Sequence, residues 1–272
     1  CKRHYRNPRI SGQNLLLAQK PYSMLALLSM LLLKRIFVIA IGCVVLLGGT
    51  GCFGSERTIT PRVTSPAPIN VGEELPDVPG SIECSFVWEY KGNEWTWDIE
   101  IPNSLYEYYS QKKRIPTENY SVYVTDPSDD LFITDLANRF DAVAQREGFS
   151  EFEQVNFAVA FVQSLPYTSD AVTTLYDEYP RYPIETLVDD GGDCEDTSIL
   201  MAAILHAMGY GVVLIRPPHH MAVGVQGETG MFGTYYERSG NRYFYLETTG
   251  DGWEIGEIPA EYDHVGVDIF EI

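Results

Sequence analysis

Residues 191–211 read GGDCEDTSILMAAILHAMGYG, and the local chemistry of this stretch organises the rest of the chain. Gly191 and Gly192 loosen the backbone ahead of a helix start. Asp193 is a natural N-cap, which puts Cys194 in the first turn. Ile199, Leu200, Ala203, Ile204, Leu205 and Met208 make the remainder apolar enough to be buried, and Gly209 stops it. A thiol in a first helical turn lies near unpaired backbone N–H groups and the positive end of the helix dipole. Both favour the thiolate, the nucleophilic form. The same N–H groups can hold an oxyanion. Cys194 is therefore a candidate nucleophile, against the alternative of a small buried hydrophobe.

A thiol nucleophile needs a base, usually His, and the His needs an orienting group. Downstream, PPHHMAVGV occupies residues 217–225 and RYFYLETTGDGW residues 242–253. Met221–Val225 and Tyr243–Leu246 alternate as strands. Paired symmetrically as a hairpin around a long 226–241 loop, they set His220 opposite Glu247. Alternation puts His220, Ala222 and Gly224 on one face, and Tyr243, Tyr245 and Glu247 on the facing one. A carboxylate across two strands from an imidazole is an orienting pair. His219 rivals His220 and Asp251 rivals Glu247. His206 lies within the helix, where it packs or meets solvent, and no motif surrounds His264.

Upstream, Ile82, Cys84, Phe86, Trp88 and Tyr90, then Trp95, Trp97, Ile99 and Ile101, alternate on either side of Gly92-Asn93. This pattern predicts a β-hairpin whose aromatic row packs inward, with a carbohydrate-binding row as the alternative. Helical spacing over 129–147 and again after Ser150, ending near Pro166, predicts two more helices. Residues 167–192 read as loop. A strand is expected over Val212–Ile215. The whole predicts an α+β fold: a cysteine-bearing helix on an antiparallel sheet, with the hairpin as an N-terminal accessory.

Charge is distributed unevenly. The 272 residues carry a net charge of −19, yet residues 1–52 hold seven of the 19 basic residues and none of the 38 acidic ones. The remainder, with 12 basic against 38 acidic residues, has a net charge of −26. Such a surface repels phosphate backbones, which argues against a nucleic-acid partner. Lys34-Arg35 before the apolar run Ile36–Leu47, ending in GGTGC with Cys52, has the grammar of an export signal, with Met24 or Met30 as plausible starts. Cys52 is read either as a lipid attachment site or as the end of an uncleaved membrane helix. In both cases the following residues face outside the cytoplasm. Residues 54–80, rich in Pro, Gly, Ser and Thr, read as a tether. The domain reading is a 1–53 anchor segment, the 54–80 tether, an 81–127 accessory β-rich segment and a 128–272 catalytic domain. Of the five cysteines only Cys84 and Cys194 fall in the folded body, so this is no disulfide scaffold.

GGDCED at a helix start, then HHMAVGV, then YLETT, resembles the core of the transglutaminase-like, papain-related superfamily, in its archaeal and bacterial cysteine-peptidase form. The resemblance covers residues 152–256. It implies a cysteine hydrolase or acyltransferase acting on peptide or amide bonds of a protein or peptide substrate through a thioester. Cys194 would be the nucleophile, His220 the base and acid, and Glu247 the third member, where the family has Asp. It implies no required cofactor. Related proteins bind calcium through acids beside the cysteine, for which Asp193, Glu195 and Asp196, with Asp189 or Asp190, are the counterparts here. The contrasting reading is a non-catalytic cell-surface binding lipoprotein on the same fold.

Overall fold

The computed structural model describes residues 74–169 and 179–272. The anchor segment, Cys52 and the tether up to residue 73 lie outside the described residues. Among those described, no helix is long and apolar enough to cross a membrane.

Strands β1 (Ser81–Tyr90) and β2 (Asn93–Pro102) form the expected hairpin, with Trp88 opposite Trp95 and Tyr90 opposite Asn93. The turn is one residue earlier than Gly92-Asn93. Lys91 and Gly92 both take positive φ (53° and 74°), the pairing that matches strand twist in a two-residue hairpin. The inward aromatic row is core. Trp88, Trp95 and Trp97 pack on Phe157 at centroid distances of 5.5, 4.8 and 6.3 Å.

Short helices α1 (Asn103–Gln111) and α2 (Ser121–Val124) follow, in a stretch expected to be β-rich. Tyr109 and Tyr123, both fully buried, bring them against Tyr182. Helices α3 (Asp130–Glu147) and α4 (Glu151–Gln163) match the helical periodicity. Ser150 caps α4: its hydroxyl accepts from the Glu153 N–H, and the Glu153 carboxylate accepts from the Ser150 N–H.

Residues 167–192 are not all loop. Helix α5 (Pro183–Asp189) lies there, with Pro183 at its first turn and Ile184, Leu187 and Val188 buried. At seven residues it is too short for periodicity to expose it. Its Glu185 is held by Arg114 at 2.5 Å. Helix α6 (Cys194–Ala207) is the predicted cysteine helix.

A five-stranded antiparallel sheet completes the fold in the order β5-β6-β4-β3-β7. Its members are β3 (Val212–Arg216), β4 (Ala222–Gly227), β5 (Tyr235–Arg238), β6 (Asn241–Leu246) and β7 (Asp268–Glu271). The region expected as one long 226–241 loop contains β5, which is the hairpin partner of β6. One sheet face (Leu214, Val223, Val225, Phe244, Leu246) joins the helices and the β1–β2 hairpin in a single core. The other face (Val213, Ile215, Ala222, Tyr243, Tyr245) is covered by the C-terminal segment through Ile258 and Val267. The architecture is α+β, with α6 packed on the antiparallel sheet.

Candidate active site

The start of α6 is held by a buried ion pair. Asp196, fully buried, accepts the Arg181 backbone N–H at 2.7 Å and pairs with the Arg181 guanidinium, itself 2% exposed. Asp196 also accepts the Asp193 N–H at 3.3 Å, so one carboxylate ties residues 181, 193 and 196 together. Gly192 makes this possible, since a Cβ there would lie 2.5 Å from Asp196 Cβ. The Arg181 Nε reaches Asp189 Oδ2 at 3.2 Å. A guanidinium thus engages two of the acids considered for calcium. Among the described residues no group of three or more His, Cys, Asp or Glu side chains is arranged to hold a metal ion.

The first turn of α6 is also bonded to the end of β6. Thr197 and Ser198 hydroxyls lie 3.0 and 3.1 Å from Thr248 Oγ1, one residue beyond Glu247. Gln163, in the last turn of α4, donates to the Glu247 and Trp253 carbonyls at 2.9 and 3.0 Å and accepts from the Gly252 N–H at 3.1 Å. The Cys194-bearing helix and the Glu247-bearing strand are therefore positioned by buried polar ties, not by packing alone.

His220 Nε2 lies 2.9 Å from Glu247 Oε2. The predicted faces are right, and the predicted register is shifted. Val223 opposes Leu246 and Gly224 opposes Tyr245, which carries Glu247 opposite Ala222, diagonal to His220. A two-residue shift preserves faces, because side chains alternate with period two. The carboxylate is densely served. Tyr245 donates its hydroxyl to Oε2 at 3.0 Å, and Oε1 accepts from the Thr248 and Thr249 N–H groups at 3.1 and 3.0 Å and the Thr249 hydroxyl at 2.7 Å. Burial opposes the charged form of Glu247. The hydrogen bond and charge of His220, with the Thr249 donors, outweigh it and hold the carboxyl below its ordinary value. The His220 ring stacks on Tyr262 at 4.4 Å and 3°. With Nε2 committed to Glu247, Nδ1 is the ring nitrogen left for the cavity.

Cys194 is a free thiol on the same cavity, of about 410 Å³, that His220, Glu247, Tyr167 and Tyr262 line. The backbone N–H of Met221, the residue after His220, favours the anionic form of its sulfur. The expectation of a ready thiolate is corrected here. Cys194 Sγ donates to Glu195 Oε2 at 3.1 Å. Burial, then the Glu195 charge and hydrogen bond, then Asp193, push the thiol up, and these outweigh the Met221 N–H that favours the anion.

His219 is exposed in a left-handed conformation (φ 59°) on the cavity rim. Asp251 lies on a neighbouring groove instead. His206 is exposed near the end of α6, and His264 is exposed, 3.4 Å from Asp263. Sequence reading missed Glu195 as the thiol's partner, along with Met221, Thr249 and Tyr262. Only Tyr245 was signalled, by sharing a face with Glu247.

No family model matches the chain, and no curated protein matches it. Solved structures similar to it include Legionella pneumophila LapG in a calcium-bound form, 18% identical with a TM-score of 0.30 over 50% of this chain and 87% of that one. The EGTA-treated form gives 18% and 0.32 over 52% and 84%. A candidate protease from Parabacteroides distasonis is also similar, 18% identical with a TM-score of 0.30 over 65% of this chain and 41% of that one.

Proposed function

We propose that this protein is a cysteine-nucleophile hydrolase of peptide or amide bonds, working through Cys194, His220 and Glu247. The observation that carries the reading is the His220–Glu247 bond on the wall of the cavity that holds Cys194. In this mechanism the Cys194 proton passes to His220 Nδ1 and Sγ attacks the substrate carbonyl carbon. The carbonyl oxygen becomes an oxyanion, for which the unpaired N–H groups of the first turn of α6 are the candidate donors. On collapse the C–N bond breaks, the amine leaves with the proton held by His220, and a thioester remains. Water, deprotonated by His220, then attacks the thioester and releases the acid and the free thiol. Glu247 stays ionised throughout, fixing the ring tautomer and stabilising the imidazolium.

Water is taken as the default acceptor, so hydrolysis stands ahead of transfer to an amine. The basic, apolar N-terminal segment supports placement outside the cytoplasm, held by that segment or by lipid on Cys52. The test is hydrolysis of fluorogenic peptide amides by the wild type, Cys194→Ala and His220→Ala. Cys194→Ala is expected to be inactive and His220→Ala to lose about 10²–10⁴-fold in kcat/KM. Hydrolysis undiminished in Cys194→Ala refutes the assignment.

A further inference from the structure

The chain between β6 and β7 carries one side chain onto the active site from outside the sheet. Tyr262, half-exposed, lies flat on the His220 imidazole, with ring centroids 4.4 Å apart and planes 3° from parallel. Several fixed points put it there. Gly256 donates its N–H to the Tyr245 carbonyl at 2.7 Å, and its own carbonyl accepts from the Thr234 N–H at 2.8 Å. Glycine is required at this position: φ is 88°, and a Cβ would lie 2.8 Å from the Phe232 carbonyl oxygen. Ile258 before the tyrosine and Val267 after it pack on the Val213, Ile215 and Ala222 face of the sheet. Between them the Tyr262 N–H donates to the Pro259 carbonyl at 2.9 Å, closing a turn that presents the ring. Pro259, Ala260 and Glu261 line the Cys194 cavity beside it.

His220 and Glu247 are held unequally. Their side chains are 8% and 1% exposed. Glu247 keeps the Tyr245 hydroxyl and the Thr248 and Thr249 N–H groups whatever His220 does. Among the described residues the imidazole is held by two contacts, the Glu247 bond at Nε2 and the Tyr262 face. The terminal torsion of a histidine is broad, so an uncovered ring swings and admits water to that bond. A hydrogen bond kept in a water-poor setting is the stronger for it. Burial, with the charges of Glu261, Glu247 and Cys194, raises the Tyr262 hydroxyl, so the phenol is neutral. A neutral aromatic face attracts a cation, and His220 becomes one when it takes the thiol proton.

We propose that Tyr262 is a positioning residue of the Cys194 site: its ring fixes the plane of the His220 imidazole and seals the His220–Glu247 hydrogen bond from water. The inference rests on the hydrolase reading and adds to it a residue that works through His220.

The test compares Tyr262→Ala, Tyr262→Leu and Tyr262→Phe in the full chain. Phe keeps the flat ring. Leu keeps apolar bulk without it, and carries the test if Ala fails to fold. The first readout needs no substrate. In protein isotope-labelled at histidine nitrogen, the His220 Nε2 proton, identified by its loss in His220→Gln, should give a slowly exchanging downfield resonance. It should vanish in the Ala and Leu variants and persist in Phe. The second readout is hydrolysis of the fluorogenic peptide amides. In Ala and Leu, kcat should fall about tenfold with KM held within about twofold, and Phe should stay within about twofold of wild type in both. A resonance absent from wild type, or unchanged in all three variants, overturns the inference and leaves the hydrolase reading intact. Equal rescue by Leu and Phe, the mark of a space-filling side chain, overturns it too, as does a raised KM with kcat unchanged, the mark of a substrate contact. Loss of the resonance in Ala and Leu alone, with no cysteine-dependent hydrolysis by wild type, supports the seal and refutes the hydrolase reading.

Discussion

Replacing Glu195 by Gln removes one negative charge from the Cys194 thiol and keeps an acceptor of nearly the same size. In the folded protein the S–H donates to Glu195 Oε2 at 3.1 Å. Two unit charges at that separation interact by about 1.3 kcal/mol at the dielectric constant of water and about 5 kcal/mol at an effective value of 20. Cys194 and Glu195 are both half-buried, so the lower end applies. At 1.36 kcal/mol per pKa unit, the thiol's apparent pKa is expected to fall by about one to two units. A thiolate of lower pKa is intrinsically less nucleophilic, with a Brønsted slope of about 0.4–0.5, which cancels nearly half of the gain in thiolate fraction. The net expectation is an alkylation rate at neutral pH about 3–10-fold above wild type. The assay is iodoacetamide labelling from pH 6 to 11, with the Cys194 peptide quantified by mass spectrometry and Cys194→Ala subtracting the other cysteines. Glu195→Asp, which keeps the charge on a shorter arm, should fall between the two. Coincident pH–rate curves for wild type and Glu195→Gln would refute the reasoning that this carboxylate holds the thiol protonated. They would leave burial and the Asp193 charge as the causes.

Four further outcomes follow from contacts elsewhere in the structure. Glu247→Gln should lower peptide-amide kcat by about 10²-fold or more, because an amide cannot accept from every donor that now serves the carboxylate. Since the Glu247 carboxyl is held below its ordinary value, its contribution to stability is present above the usual carboxylate pKa of about 4.3 and is lost as pH falls through the folded value. Melting temperature between pH 2 and 6 should therefore fall less steeply in the Gln variant than in wild type, and parallel curves would count against it. Asp196→Asn leaves the buried Arg181 charge without its fully buried partner, with the half-exposed Asp189 remaining, and should cost about 3 kcal/mol in denaturant titration, whereas a loss under 1 kcal/mol would mean the pair does not anchor α6. Phe157→Ala empties the fully buried centre of the aromatic cluster shared by the hairpin, α3 and α4, with an expected cost of about 3–5 kcal/mol. A two-state melt with an unchanged midpoint would show that the hairpin is not integral to the core.

Much of the fold was legible because its signals are local. The periods of α3, α4 and α6 and the alternation of β1, β2, β4 and β6 depend on residues a few positions apart. The Asp193–Cys194 helix start is read from a handful of neighbours. The faces of His220 and Glu247 were legible for the same reason, since alternation survives any even slip of register. The register itself was not, because β5 enters between β4 and β6 in the chain and moves the pairing by two residues. Helix α5 and strand β7 escaped notice because seven and four residues carry too little pattern.

The sequence by itself therefore determined a cysteine at a helix start, with a histidine and an acid to follow on matched strand faces. Only the tertiary structure decided three things. Glu195, read from sequence as a counterpart of calcium-binding acids beside the cysteine, turns its carboxylate onto the thiol and holds the proton there. Arg181, distant in no obvious motif, enters the acidic cluster and anchors it. Tyr262, in a segment without a motif, lies flat on the His220 ring. Each is set by which side chains meet across long loops in a half-buried setting. There electrostatic interactions depend on distances of a few ångströms, and residue order does not encode those distances.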